Sequence, residues 1–169
     1  FEKCELCPMH YYAKDPGATE CIPCEGGTQK LKEGAGGCGK CIAGRYAPAG
    51  ARCSDCSPGR YSASGVSVCV VCEKGKVSGG KATECTSCAA GKYMDEEEQA
   101  KCKNCPAGSV ADSVGSKSCT KCKAGTYTGS EGETECEKCP AGKFAPEGAT
   151  TCTPCEAGSF SGTGRGKCE

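Results

Sequence analysis

Tryptophan is absent from this 169-residue chain, and histidine and asparagine each occur once. Leu, Ile, Val and Phe together number 14, about 8% of the residues, far below the roughly 20% found in chains that pack an ordinary apolar core. A globular enzyme of conventional construction is therefore excluded. A single histidine also leaves no nucleophile–base constellation, so no catalytic residue and no cofactor is expected. Net charge is missing as well: 21 Lys and Arg offset 21 Asp and Glu. That balance removes the electrostatic footprint of a nucleic-acid or anionic-membrane binder. It also removes the high net charge that accompanies disorder. No apolar run approaches the ~20 residues of a membrane span. The lone Asn104 precedes Cys105-Pro106, so there is no N-glycosylation sequon. The 26 Ser and Thr leave room for O-linked glycan.

What the chain does have is cysteine, 21 residues or about 12%, past the ~8–10% that marks a disulfide scaffold. Twenty of them form ten Cys-x-x-Cys pairs, opening at Cys4, Cys21, Cys38, Cys53, Cys69, Cys85, Cys102, Cys119, Cys136 and Cys152, with Cys168 left over. From Cys4 to Cys168 the ten intervals span 164 residues, a mean period of 16.4. One continuous repeat array, residues 1–169, thus accounts for the sequence, with repeats starting near Cys7, Cys24, Cys41, Cys56, Cys72, Cys88, Cys105, Cys122, Cys139 and Cys155.

Three residues after the second cysteine of nearly every pair stands glycine: Gly27, Gly44, Gly59, Gly75, Gly91, Gly108, Gly125, Gly142 and Gly158, with His10 in the first repeat. Two residues further on come Tyr12, Tyr46, Tyr61, Tyr93, Tyr127, Phe144 and Phe160, with Val77 and Val110 as smaller substitutes. The pattern reads as turn, strand, turn, strand. Cys139-Pro140-Ala141-Gly142 fits a type I turn, Lys143–Ala145 a short strand, Glu147-Gly148 a reversal and Thr150–Cys152 the returning strand. The expected fold class is small, disulfide-rich and all-β or irregular, an elongated array of about ten two-stranded hairpins. The aromatics are expected to be the core of each hairpin, and contacts to be mainly between adjacent repeats.

Two disulfide ladders fit the spacing. One joins Cys7–Cys21, Cys24–Cys38, Cys41–Cys53, Cys56–Cys69, Cys72–Cys85, Cys88–Cys102, Cys105–Cys119, Cys122–Cys136, Cys139–Cys152 and Cys155–Cys168, leaving Cys4 over. The other interlocks neighbouring pairs, as in Cys4–Cys21 with Cys7–Cys24, and requires a superperiod near 33 residues that the sequence lacks. The equivalent-loop ladder is favoured. Closing a loop of about 15 residues contributes roughly 3 kcal/mol, so cross-links outweigh burial of one aromatic per repeat.

Cys139-Pro140-Ala141-Gly142-Lys143-Phe144, followed by Gly148-Ala149-Thr150-Thr151-Cys152-Thr153-Pro154-Cys155, resembles the ephrin-receptor-like cysteine-rich repeat. More distantly it is similar to tumour-necrosis-factor-receptor and growth-factor-receptor cysteine-rich modules. The resemblance implies a secreted, disulfide-bonded repeat protein of the kind found in receptor ectodomains, adhesion proteins and protist surface or filament proteins.

Other readings of these residues carry less weight. Paired Cys-x-x-Cys about 13 residues apart is close to zinc-ribbon spacing, but four ligands per ion again demand the absent superperiod. Redox chemistry needs a low-pKa thiolate at a helix N-terminus, which Gly-rich hairpins do not supply. Asp95-Glu96-Glu97-Glu98 lacks the alternating ligands of a calcium loop and reads as a solvated tip. No metal site is expected. The favoured function is an extracellular structural or adhesive protein, a disulfide-stapled rod serving as spacer, stalk or filament subunit. Its expected partners are copies of itself or a filament or surface component. The alternative is a ligand-binding ectodomain at the cell surface. The chain is expected to be an excerpt of a longer array, because Cys4 lacks a partner within it.

Overall fold

The computed structural model describes residues 5–33 and 36–169, so Cys4 lies outside the described residues. It contains nine antiparallel two-stranded hairpins and no helix among those residues. In chain order they are β1 (Tyr11–Tyr12) with β2 (Ile22–Pro23), β3 (Thr28–Gln29) with β4 (Gly39–Lys40), and β5 (Arg45–Tyr46) with β6 (Ser54–Asp55). Then follow β7 (Arg60–Tyr61) with β8 (Val70–Val71), β9 (Lys76–Val77) with β10 (Thr86–Ser87), and β11 (Lys92–Tyr93) with β12 (Lys103–Asn104). Last come β13 (Ser109–Val110) with β14 (Thr120–Lys121), β15 (Thr126–Tyr127) with β16 (Glu137–Lys138), and β17 (Lys143–Phe144) with β18 (Thr153–Pro154). The tenth repeat closes with Phe160 and Glu169 exchanging two backbone hydrogen bonds of 2.9 Å.

Every returning strand is the dipeptide between two cysteines. Phe144 pairs with Thr153, so the expected return over Thr150–Cys152 is displaced toward the C-terminus. A two-residue strand has no alternation to reveal it, and Pro154 is tolerated because it sits on an edge. The turn is displaced too. Lys143 N–H donates to Pro140 O at 3.2 Å, which puts Gly142, with φ of +81°, at the third position. A positive φ there belongs to a type II turn, not the expected type I turn one residue earlier.

Ten disulfides join Cys7–Cys21, Cys24–Cys38, Cys41–Cys53, Cys56–Cys69, Cys72–Cys85, Cys88–Cys102, Cys105–Cys119, Cys122–Cys136, Cys139–Cys152 and Cys155–Cys168. Nine of them each close the loop of one hairpin, and Cys155–Cys168 closes the tenth repeat. With so little apolar side chain available, these cross-links are what makes two-residue strands tenable.

The chain divides into two compact units, one of Phe1–Cys72 with Ser78–Cys85, the other of Glu73–Val77 with Thr86–Glu169. In the first, the enclosed residues are Lys30, Ala47, Ser62 and Ser78 beside Cys7, Cys24, Cys41, Cys53, Cys56 and Cys72. In the second they are Met94, Ser109, Ala111, Thr128, Ala145 and Ser161 beside Cys88, Cys105, Cys122 and Cys139. The inward position is thus the residue after the aromatic, or after Gln29, Val77 or Val110 where these replace it, because side chains alternate along a strand. The aromatics expected as core are only half-buried at Tyr12, Tyr46, Tyr61, Tyr93, Tyr127 and Phe144, and Phe160 is 68% exposed.

The serine hydroxyls at Ser62, Ser78 and Ser161 in that enclosed column bond backward to the preceding repeat, while Thr128 Oγ1 donates to Ser130 O of its own repeat at 3.4 Å. Ser62 Oγ donates to Arg45 O at 3.0 Å and Ser78 Oγ to Arg60 O at 2.9 Å in the first unit. Ser161 Oγ donates to Lys143 O at 2.8 Å in the second. Even the buried Lys30 follows the rule, its Nζ donating to Tyr11 O at 3.0 Å. Each of these polar groups is satisfied, as burial requires.

Turn glycines link the repeats twice over. Gly44 N–H donates to Ser62 O and Gly59 N–H to Ser78 O in the first unit; Gly91 N–H donates to Ala111 O and Gly125 N–H to Ala145 O in the second. These bonds reach one repeat ahead. The second link reaches two. A Cβ at Gly44 would overlap Lys81 O, and one at Gly91, Gly108 or Gly125 would overlap the carbonyl of Gly132, Gly148 or Gly164. Contacts between adjacent repeats are thus joined by a close approach two repeats away.

Candidate functional site

The loop tips that roof these glycines need a positive φ, and glycine supplies it in most repeats. Lys81 (φ 61°) and Glu98 (φ 59°) are the departures. Holding a lysine in left-handed backbone is uncommon, and here it sets the Lys81 backbone over Gly44. The Lys81 tip is also fixed by its own N–H donating to Cys56 O at 2.9 Å.

Lys81 Nζ reaches Asp55 Oδ2 at 3.2 Å, while Arg45 Nε holds Asp55 Oδ1 at 2.6 Å. Arg45 and Asp55 face each other directly across β5 and β6, the arrangement in which cross-strand charges meet. The hydrogen bond from Lys81, followed by the charge of Arg45, keeps the Asp55 carboxyl below its ordinary value of 3.8. Beside this pair opens a cavity of about 380 Å³ lined by Arg45, Arg52, Cys53, Ser54 and Asp55. The Arg52 side chain makes no ion pair or hydrogen bond with another described residue.

The overall charge balance hid this cluster. Three of the chain's four arginines, Arg45, Arg52 and Arg60, fall within one 16-residue stretch. Residues 34–83 hold seven Lys and Arg against two carboxylates. A windowed charge count would have revealed them.

The remaining candidate residues do not converge. Among the described residues no three His, Cys, Asp or Glu side chains are grouped as metal ligands would be. Asp95 and Glu96 are held by Lys103 Nζ at 2.8 and 3.1 Å, and the hydrogen bond from Lys103 lowers the Asp95 carboxyl. The Lys103 ammonium also lies 6.0 Å from the centre of the Tyr93 ring. Tyr127 donates its hydroxyl to Glu137 at 2.9 Å, which raises its own pKa. The turn glycines Gly27, Gly44, Gly59, Gly75, Gly91, Gly108, Gly125, Gly142 and Gly158 all have positive φ, and Gly27, Gly44, Gly75, Gly91, Gly108 and Gly125 are also closely covered by a later backbone carbonyl, whereas Gly142 and Gly158 are open. His10 takes their place in the first repeat with φ of +70°, and its Nδ1 is enclosed without a hydrogen-bond partner.

No helix among the described residues is long and apolar enough to cross a membrane. Comparison with curated proteins finds no match for the chain. The repeat geometry does have a counterpart among protein families: the tyrosine-protein kinase ephrin type A/B receptor-like family matches twice, over residues 75–118 and 114–146. Those segments, 72 of the 169 residues, are similar to ephrin-receptor-like cysteine-rich repeats.

Proposed function

We propose that the chain is a structural or adhesive component outside the cell, a spacer, stalk or filament subunit with no catalytic role. The family match and the ten disulfides point to an extracellular location. The observation that carries the structural role is the double linkage of the turn glycines. Within each unit a repeat is bonded to the next and roofed by the one after it. Such stacking resists bending and local opening, because one repeat cannot leave without uncovering two others.

The partners that suit this reading are copies of the chain or a filament or surface component. A ligand-binding ectodomain is the second reading. It is favoured by the Arg45–Arg52 cavity, whose wall carries two arginines.

Single-molecule extension of the oxidised chain tests the structural role. A spacer should extend in discrete steps, each at substantial force, and release its looped residues only after reduction. A chain that stretches like an unstructured polymer with all ten bridges intact would overturn the proposal.

A further inference from the structure

We infer that the Arg45–Arg52 cavity is a binding site for the sulfate groups of a sulfated polysaccharide. The inference does not depend on whether the chain is a spacer; it needs only the cavity and an extracellular setting.

The argument begins with charge. Asp55 accepts from Arg45 at one oxygen and pairs with Lys81 at the other, so its single negative charge is shared by two cations. Arg52 adds a third cation on the cavity wall without a carboxylate of its own. The cluster of Arg45, Arg52, Lys81 and Asp55 therefore carries two uncompensated positive charges. The cross-strand pairing with Asp55 also fixes the Arg45 guanidinium before any ligand arrives, which lowers the entropy lost on binding.

Residue type narrows the ligand. Guanidinium presents a planar fork of donors that matches tetrahedral or planar oxyanions two bonds at a time, whereas ammonium acts as a point charge. This cavity is walled by arginine in a chain whose other cations are nearly all lysine. At about 380 Å³ it is large enough for one sugar ring, and Ser54 on its wall offers a hydroxyl for the ring's own hydroxyls. A sulfate monoester remains ionised at every physiological pH, and the sulfated polysaccharides are the abundant polyanions outside cells.

The test uses the whole oxidised chain and immobilised heparin. Intact mass confirms that each variant retains its ten bridges. The wild-type chain should be retained at about 0.15 M salt, where only close charge pairs survive screening. Arg52→Gln should weaken binding by about tenfold, the loss of one charge-assisted bidentate contact. Arg52→Lys should keep the charge and recover only part of the affinity. Lys143→Gln removes one exposed charge elsewhere and should change affinity by less than about twofold. Fully desulfated heparin, which keeps its carboxylates, should not bind. Equal losses for Arg52→Gln and Lys143→Gln would overturn the site, leaving diffuse attraction only. Equal retention on polyglutamate would overturn the ligand class in favour of an acidic protein, and no retention on heparin would overturn both.

Discussion

The carbonyl oxygen of Gly132 lies over the α-carbon of Gly91, two repeats earlier in the chain, so closely that no side chain can stand between them. Gly91 needs glycine on two separate counts, a φ of +80° and this roof. Gly142 has a matching φ of +81°, but the space a Cβ would enter there is open, with nothing within 4 Å.

That contrast separates backbone strain from steric closure. Gly142→Ala should cost roughly 1–2 kcal/mol, the left-handed penalty alone. Gly91→Ala should cost roughly 2–5 kcal/mol, since overpacking adds to it. Opening free energies from native-state hydrogen exchange measure both. Equal losses at the two positions would contradict the roof.

His10 occupies the same turn position at a double disadvantage, left-handed backbone and an enclosed nitrogen without a partner. His10→Gly should therefore stabilise the first repeat by about 1 kcal/mol or more. Protection of the Cys24 amide, which donates to His10 O at 2.8 Å, is a direct readout. A loss of protection would show that the imidazole ring contributes packing that outweighs both penalties.

Asp55 gives a pH dependence with a definite sign. Its folded pKa is lowered, first by the hydrogen bond from Lys81 and then by Arg45. Its contribution is thus present above the ordinary value of 3.8 and is lost as pH falls through the lowered folded value. Carboxyl titration followed by NMR should place Asp55 below 3.8. Lys81→Ala should move it upward toward that ordinary value, and an unchanged midpoint would show that the lysine contact does not hold the carboxylate.

Reduction offers a covalent check. Ten bridges should appear as a mass gain of about 20 Da on reduction, two hydrogens for each bridge. Because the bridges, not burial, stabilise the hairpins, the reduced chain should also lose its slow-exchanging amides together. Persistence of protected amides after complete reduction would contradict that ordering of effects.

Repeat length and the turn glycine were legible because they rest on residues with unusual covalent or backbone properties, whereas the frame of the turn, which starts at Pro140 and not at Cys139, was not. Cys139 and Cys152 announce a cross-link, and Gly142 announces a positive φ. The enclosed column was not legible. Ala47, Ser62, Thr128 and Met94 share no polarity or size, and Lys30 would normally be assigned to solvent. Their common property is a place directly after the second residue of the first strand of each hairpin. Tyr46 and Tyr127 stand out by size, but their rings lie on the half-exposed face. The cavity was hidden differently: Arg45 and Arg52 are conspicuous locally, but cancel against distant glutamates in the whole-chain charge.

The two-repeat reach of the roof also has a meaning in time. A ribosome emits about 5–20 residues per second, and Gly132 follows Gly91 by 41 positions. The hairpin of Gly91 is first able to close once Asn104 has emerged, 28 positions before Gly132, so its cover then lies roughly 1–6 s in the future. The nascent chain carries behind its growing end a travelling window of two unsealed repeats. Cysteines inside that window remain open to exchange with wrong partners, and those behind it are shut in, so proofreading of the bridges advances along the array at the pace of synthesis.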